Sequence, residues 1–350
     1  MGVTPIKIYS YLVEGKKLIL HQYKLSLGIV KALAYVLPFF KNLEVISLSE
    51  NTLEDNGLSV LIEATMHLPK FRSLKIMYNK PRTLFMETLY QSIYERSRIL
   101  KVINLKGCLS INSQFSKLIK ILNRLLDLQS LNLSDMKLDV SAIQQLSKYI
   151  RTNETITKLT MSNSGLISNK AFMFIKSLIK NDSICFLDLS YNNFTSDDYS
   201  IAAAIGTLIK CHYYLMHVNF SHCAMSVEET MYVGVASKDS NQLMACHLTG
   251  NSCHVYGRAH IRTQLGAEPQ YPSKRKMDSE NYISQIDVTL LMVFSNFYKQ
   301  RILPNEIKQF FVFGKRNVID VDIETNIDYL KVLEDDIETA KRSKLSHFML

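Results

Sequence analysis

None of the six cysteines in this 350-residue chain (Cys108, Cys185, Cys211, Cys223, Cys246 and Cys253) stands in a C-x-x-C pair. Such scattered thiols are the usage of a reduced, intracellular protein. The N-terminus lacks the basic-then-apolar pattern of a secretory signal. The longest apolar run near it, Leu27 to Phe40, is broken by Lys31 and is too short to cross a bilayer. Ile6 stands where myristoylation at Gly2 needs Ser or Thr. Also missing are the phosphate loop G-x-x-x-x-G-K-S/T, the nucleophile turn G-x-S-x-G and the zinc-protease helix H-E-x-x-H. The sequence therefore assigns no catalytic residue, no cofactor site and no metal site.

Negative charge is short in one part of the chain. The net charge is +9 and the sequence pI about 9.1. Residues 268–350 hold 12 Lys/Arg against 13 Asp/Glu, a net of −1, so the first 267 residues carry +10. A one-sided positive field of that kind attracts acidic partners and speeds their encounter.

What is abundant is a repeat. From Ile184 the chain reads I-x-x-L-x-L-x-x-N-x-F, through Leu187, Leu189, Asn192 and Phe194. The same register starts at Leu43, Phe71, Leu100, Leu128, Ile156, Ile184, Leu215 and Leu243, at intervals of 28, 29, 28, 28, 28, 31 and 28 residues. A degenerate first copy at Gly15 brings the total to nine units. The start of each unit alternates apolar and polar residues, as in Leu131-Asn132-Leu133, which is the pattern of a strand with one buried face. The rest switches to helical spacing. Ala171, Phe174, Ile175, Leu178 and Ile179 share one face, as do Ile201, Ala204, Ile205, Leu208 and Ile209. No unit buries its apolar face alone, so such units stack on a continuous core.

This pattern resembles the leucine-rich repeat of the ribonuclease-inhibitor class, over roughly residues 15–267. The resemblance implies an α/β solenoid: an arc with an inner parallel sheet and outer helices. It also implies Asn or Cys at the turn after each strand. Asn51, Asn79, Cys108, Asn192, Cys223 and Asn251 comply, whereas Tyr23, Met136 and Ser164 require those turns to be satisfied otherwise. The class includes ribonuclease inhibitors, activators of the GTPase Ran, innate-immune sensor domains and cytoskeletal or ciliary proteins.

The expected organisation is an N-terminal cap at residues 1–14, repeats at 15–267, a linker at 268–280 and a helical C-terminal extension at 281–350. The cap would use Ile6, Ile8, Tyr9 and Leu12. The linker holds Pro269, Pro272 and Lys274-Arg275-Lys276. The extension reads as three helices, the last of them amphipathic through Ile327, Leu330, Leu333, Ile337 and Ala340.

In a solenoid of this class the second, third, fifth and seventh residues of each unit face the concave side. Their charged members are Lys16, Lys17, Glu44, Arg72, Lys75, Lys101, Lys106, Lys158 and Asp188, with His21, His217 and His247. Arg72, Lys75, Lys101, Lys106 and Lys158 are the candidate partner-binding residues, and the expected partner is a protein with an acidic surface. Phe186 is nearly alone as an aromatic residue there, so single-stranded nucleic acid is a poor fit. Membrane is not expected as a partner. Cys246 and Cys253 fall at inward positions, so they do not converge with His247 into a zinc site. The expected role is a non-catalytic scaffold in a larger intracellular assembly, cytoskeletal or ciliary by resemblance. The second reading is GTPase activation, for which Asn79 and Arg82 are the nearest local equivalents of the arginine and asparagine that Ran activators use.

Overall fold

A computed structural model describes residues 12–13 and 15–252 except 67, 96, 99 and 241, with the backbone alone at residues 12, 13, 95, 238 and 239. The N-terminal cap residues Ile6, Ile8 and Tyr9, the last part of the repeats expected to residue 267, the linker and the C-terminal helices lie outside the described residues. The chain divides into two compact units, Met1–Ile184 and Cys185–Leu350.

The first unit places one strand and one helix in each repeat. Its strands are β1 (Leu12–Val13), β2 (Lys17–Ile19), β3 (Val45–Ser47), β4 (Ser73–Lys75), β5 (Val102–Asn104), β6 (Ser130–Asn132) and β7 (Lys158–Thr160). Strand β1 pairs antiparallel with β2, and β2 to β7 run parallel. The register aligns Lys17, Val45, Ser73, Val102, Ser130 and Lys158 in one row, so equivalent repeat positions are neighbours, about 4.8 Å apart. The helices α1 (Leu27–Val36), α2 (Asp55–Thr65), α3 (Thr83–Glu95), α4 (Phe115–Leu122), α5 (Val140–Thr152) and α6 (Ser168–Leu178) pack each on the next.

The core follows the sequence pattern. Residues one, four and six of the repeats from Leu43 to Met161, such as Phe71, Leu74 and Ile76, are 2% exposed or less. Burying each such side chain contributes about 1.5–3 kcal/mol, and the gain is realised only when the neighbouring repeat supplies the other wall.

Helix starts are tied across repeats. Helix α3 opens on Pro81 and Arg82, which offer no capping side chain. Asp55 of the preceding repeat supplies it, accepting from the backbone N–H of Arg82 (2.6 Å), Leu84 (2.8 Å) and Phe85 (3.0 Å). Asp139 caps its own α5 through the Ala142 N–H at 2.7 Å.

In the second unit β8 (Phe186–Asp188), β9 (His217–Asn219) and β10 (Ala245–His247) are parallel, and α7 (Ser200–Cys211) packs on α8 (Val227–Asp239). The apolar set expected on α7, namely Ile201, Ala204, Ile205, Leu208 and Ile209, is buried. Glu229, 1% exposed, closes a capping box with Ser226 and also accepts from the Ser196 N–H at 3.0 Å. One carboxylate thereby fixes its own helix start and the preceding loop. Among the described residues, no helix is long and apolar enough to cross a membrane.

Candidate functional site

The open face of each sheet, opposite the helices, is bounded by a turn whose geometry repeats. The eighth residue has positive φ at Gln22, Glu50, Tyr78, Gly107, Asp135, Asn163, Tyr191, His222 and Gly250. For a non-glycine residue that conformation costs about 1–2 kcal/mol, and the ninth side chain offsets it. Asn51 donates to the carbonyls of Leu20 (2.6 Å) and Ser49 (3.1 Å) and accepts from the Tyr23 N–H (2.8 Å). Asn79 donates to Leu48 (2.7 Å) and Ile76 (3.0 Å) and accepts from the Leu53 N–H (2.8 Å). The departures are met otherwise. The Ser164 hydroxyl donates to the Leu133 carbonyl (2.9 Å), and opposite Met136 the Leu105 carbonyl accepts from the Cys108 N–H (3.0 Å).

On the first unit the five candidate partner residues do not share one environment. Arg72 is ion-paired with Glu44. Lys75 is only 4% exposed, so its ammonium is part of the sheet surface rather than a projecting charge. Lys101 and Lys158 are partly exposed. Lys106 lies 3.9 Å from the Asp135 carboxylate and 6.0 Å from the centre of the Tyr78 ring. Asp135 also accepts from the Tyr78 hydroxyl (2.5 Å) and the Asn163 amide (2.8 Å).

Tyr78 reaches Asp135 two repeats away because Gly107 lies between them. A Cβ at Gly107 would come within 2.2 Å of the Tyr78 ring. The rim residues Tyr78, Asp135 and Glu50 occupy eighth positions, which the concave-face pattern of second, third, fifth and seventh residues does not collect. A signal was available for Glu50 and Tyr78, which directly precede the turn residues Asn51 and Asn79, but not for Asp135, which precedes Met136. With these rim carboxylates counted, the described face of the first unit holds seven Lys/Arg against Glu44, Glu50 and Asp135, a net of +4.

The face of the second unit is built of rings. Phe186 stacks on His217 with centroids 4.3 Å apart and planes at 10°. His217 Nε2 faces His247 Nε2 at 2.7 Å. Tyr191 stacks on His222 at 4.6 Å, and the His222 ring lies over Gly250, where a Cβ would be 2.1 Å from Nδ1. Asp188, 7% exposed, accepts at one oxygen from the backbone N–H (3.0 Å) and hydroxyl (2.7 Å) of Ser190.

The thiols of Cys108, Cys223 and Cys246 point the other way. Cys246 is fully buried, hydrogen-bonded to Ser237 of α8, and burial pushes its pKa up to about 12. Burial does the same to Cys108, also to about 12, and raises Cys223 further. Cys253 lies outside the described residues. Among the described residues no three His, Cys, Asp or Glu side chains are grouped to hold a metal ion.

Asn79 is 3% exposed and its amide is engaged with the backbone, while Arg82 is exposed.

No known protein-family profile matches the chain, and no curated protein matches it. Among solved structures it is similar to the leucine-rich repeat-containing protein LegL7 from Legionella pneumophila, at 17% identity and a TM-score of 0.44, over 71% of this chain and 89% of that one. It is also similar to the tropomodulin C-terminal domain of Caenorhabditis elegans, at 15% identity and a TM-score of 0.30, over 50% and 93%. Against TLR13 in its complex with ssRNA13 the values are 15% and 0.34, over 68% of this chain and 36% of that one.

Proposed function

We propose that this leucine-rich-repeat chain is a non-catalytic scaffold that binds an acidic protein surface through the open face of its first unit, within a larger intracellular assembly of the cytoskeletal or ciliary kind. The observation that carries the reading is the imbalance on that face, seven cations against three carboxylates on a rigid ladder of strands. The row spacing of about 4.8 Å keeps these charges close enough to reinforce one another within a Debye length of roughly 8 Å. Charge of this kind sets encounter rate and partner choice more than final affinity. Lys101 and Lys158 are the forward contacts, Arg72 and Lys106 are cations already oriented by one carboxylate each, and Lys75 contributes field from within the sheet.

The test is cross-linking mass spectrometry of the protein captured from its native cells at near-physiological salt. Support is stoichiometric cross-links from Lys16, Lys101, Lys106 or Lys158 to acidic segments of one large assembly. Cross-links confined to a small GTPase, followed by stimulated GTP turnover, would replace this reading with GTPase activation.

A further inference from the structure

We infer that the open face of the first unit reads carboxylate side chains through a pair of carboxamides, Asn104 of β5 and Asn132 of β6. Both stand at the fifth position of their repeats, and the register makes them direct neighbours. Lys75 of β4 flanks the pair on one side and Thr160 of β7 on the other. On the reading of this face as a surface for an acidic protein, on which the assignment rests, these two amides are the groups that meet the acid.

The local backbone fixes which way each amide points. The Asn104 Oδ1 accepts from the Lys106 N–H (3.1 Å), and the Asn132 Oδ1 accepts from the Ser134 N–H (2.9 Å). A backbone N–H is met only by an acceptor, so the oxygen of each carboxamide is the atom turned toward the chain. The NH2 end is turned away from it, and its protons have no partner among the described residues. Both residues are half-buried, so a ligand on the face reaches them while the strands hold their stems in place. Because both are anchored in the same way, the two amides repeat at the strand spacing of about 4.8 Å. One carboxylate can bridge that gap, accepting a charge-assisted hydrogen bond at each oxygen.

The charges around the pair select an acid over a neutral amide. Lys75 stands in the same row as Asn104, Lys101 directly precedes β5, and Lys106 follows Asn104 by two residues. Asp135 on the rim, 3.9 Å from Lys106, disfavours an acid at that edge and leaves the middle of the row as its seat. The two kinds of group divide the work. Ammonium groups supply a field that acts on any anion nearby, whereas two fixed neutral donors set where a carboxylate sits and how it is turned. Loss of a donor therefore weakens binding even where the charge of the face is unchanged.

The probe is a fluorescent hexaglutamate peptide, with its binding to the full chain read by anisotropy at low salt. Asn132→Asp keeps the acceptor for the Ser134 N–H, loses both amide protons and adds one negative charge. Gln129→Glu, at an exposed second position just before β6, adds the same charge to the same face and touches neither amide. The expected result is a loss of at least about tenfold in affinity for Asn132→Asp and of less than about threefold for Gln129→Glu. Equal losses overturn the carboxamide pair and leave the basic-face reading standing, because charge alone then matters. A wild type that does not bind hexaglutamate overturns both. In the wild type labelled with heavy nitrogen at asparagine only, the peptide should shift the side-chain amide signals of Asn104 and Asn132. The signal of Asn79, whose amide is engaged with the backbone, should stay in place. Binding that leaves the Asn104 and Asn132 signals unmoved overturns the pair, and this measurement decides the matter even where a variant fails to fold.

Discussion

Replacing Asn79 by alanine tests whether the turn asparagines hold adjacent repeats together. The amide makes four backbone contacts, but they are not equal. The Ile76 carbonyl still receives the Cys108 thiol (3.1 Å), and the Met77 carbonyl still receives the Glu50 N–H (3.0 Å). The Leu48 carbonyl and the Leu53 N–H have Asn79 as their partner, at 2.7 and 2.8 Å. A buried polar group left unmet costs about 1–3 kcal/mol, so two such groups make the expected loss roughly 2–6 kcal/mol. At Ser164 the hydroxyl donates to the Leu133 carbonyl (2.9 Å) and, more weakly, to the Ser162 carbonyl (3.3 Å), which also accepts from the Asp135 N–H, so Ser164→Ala should cost less than Asn79→Ala. Asn169→Ala, at an exposed helix position, should change stability by no more than about 0.5 kcal/mol. Urea unfolding followed by far-UV circular dichroism ranks the three. Hydrogen exchange at the Leu53 amide locates the effect, since that proton should lose protection first. An Asn79→Ala variant as stable as Asn169→Ala would refute the reasoning, and the turn residues would then be mere space-fillers.

Other outcomes follow from the same contacts. Asp55→Ala removes the cap that three amides of α3 share, and should cost about 1–2 kcal/mol, with exchange accelerated at Leu84 and Phe85. Gly107→Ala should cost about 1–3 kcal/mol, because its φ of +68° is strained and its Cβ meets the Tyr78 ring. Part of that loss should vanish when Tyr78→Ala is already present, and strict additivity in the double-mutant cycle would contradict the contact. Native-state thiol labelling should modify exposed Cys211 while sparing Cys108, Cys223 and Cys246 until the chain unfolds. The pKa of Cys108 and of Cys246 is raised from 9.0 to about 12 in the folded state, so the unfolded chain binds fewer protons above pH 9. Stability from these thiols is intact below pH 9 and falls as pH rises from 9 toward 12, measurable as a declining denaturation midpoint.

The parts of the fold legible in sequence are those fixed by the apolar period. Leucine or isoleucine at the first, fourth and sixth places has one way to be buried against a neighbouring repeat, so Leu128, Leu131 and Leu133 announce their strand and its inner face. Turn chemistry was legible at Asn51 and Asn79 because a side chain with both donor and acceptor suits that turn. What decides the open face was less visible. The eighth position holds Glu50, Tyr78, Asp135, Asn163, Tyr191 and His222, with no shared chemistry, since the backbone rather than the side chain fixes its conformation. Tyr78 meets a partner 57 residues away, across a gap that only Gly107 leaves open. A residue at a fifth position faces outward by pattern, yet Lys75 is 4% exposed. The pairing of His217 with His247 needed the register of β9 and β10, which places them diagonally rather than side by side.

The central proposal is that partner binding depends on cations of one particular face. It is tested most directly by measuring partner affinity for two charge-reversed chains of equal net charge. One carries Lys101→Glu, Lys106→Glu and Lys158→Glu on the open face. The other carries Lys31→Glu, Lys120→Glu and Lys148→Glu on the exposed sides of α1, α4 and α5. Lys75 is left alone, because reversing a buried ammonium would disturb the sheet itself. With the two thermal midpoints matched, the account predicts at least a tenfold loss of affinity for the open-face chain and little change for the helix-face chain. Equal affinities for the two would contradict it.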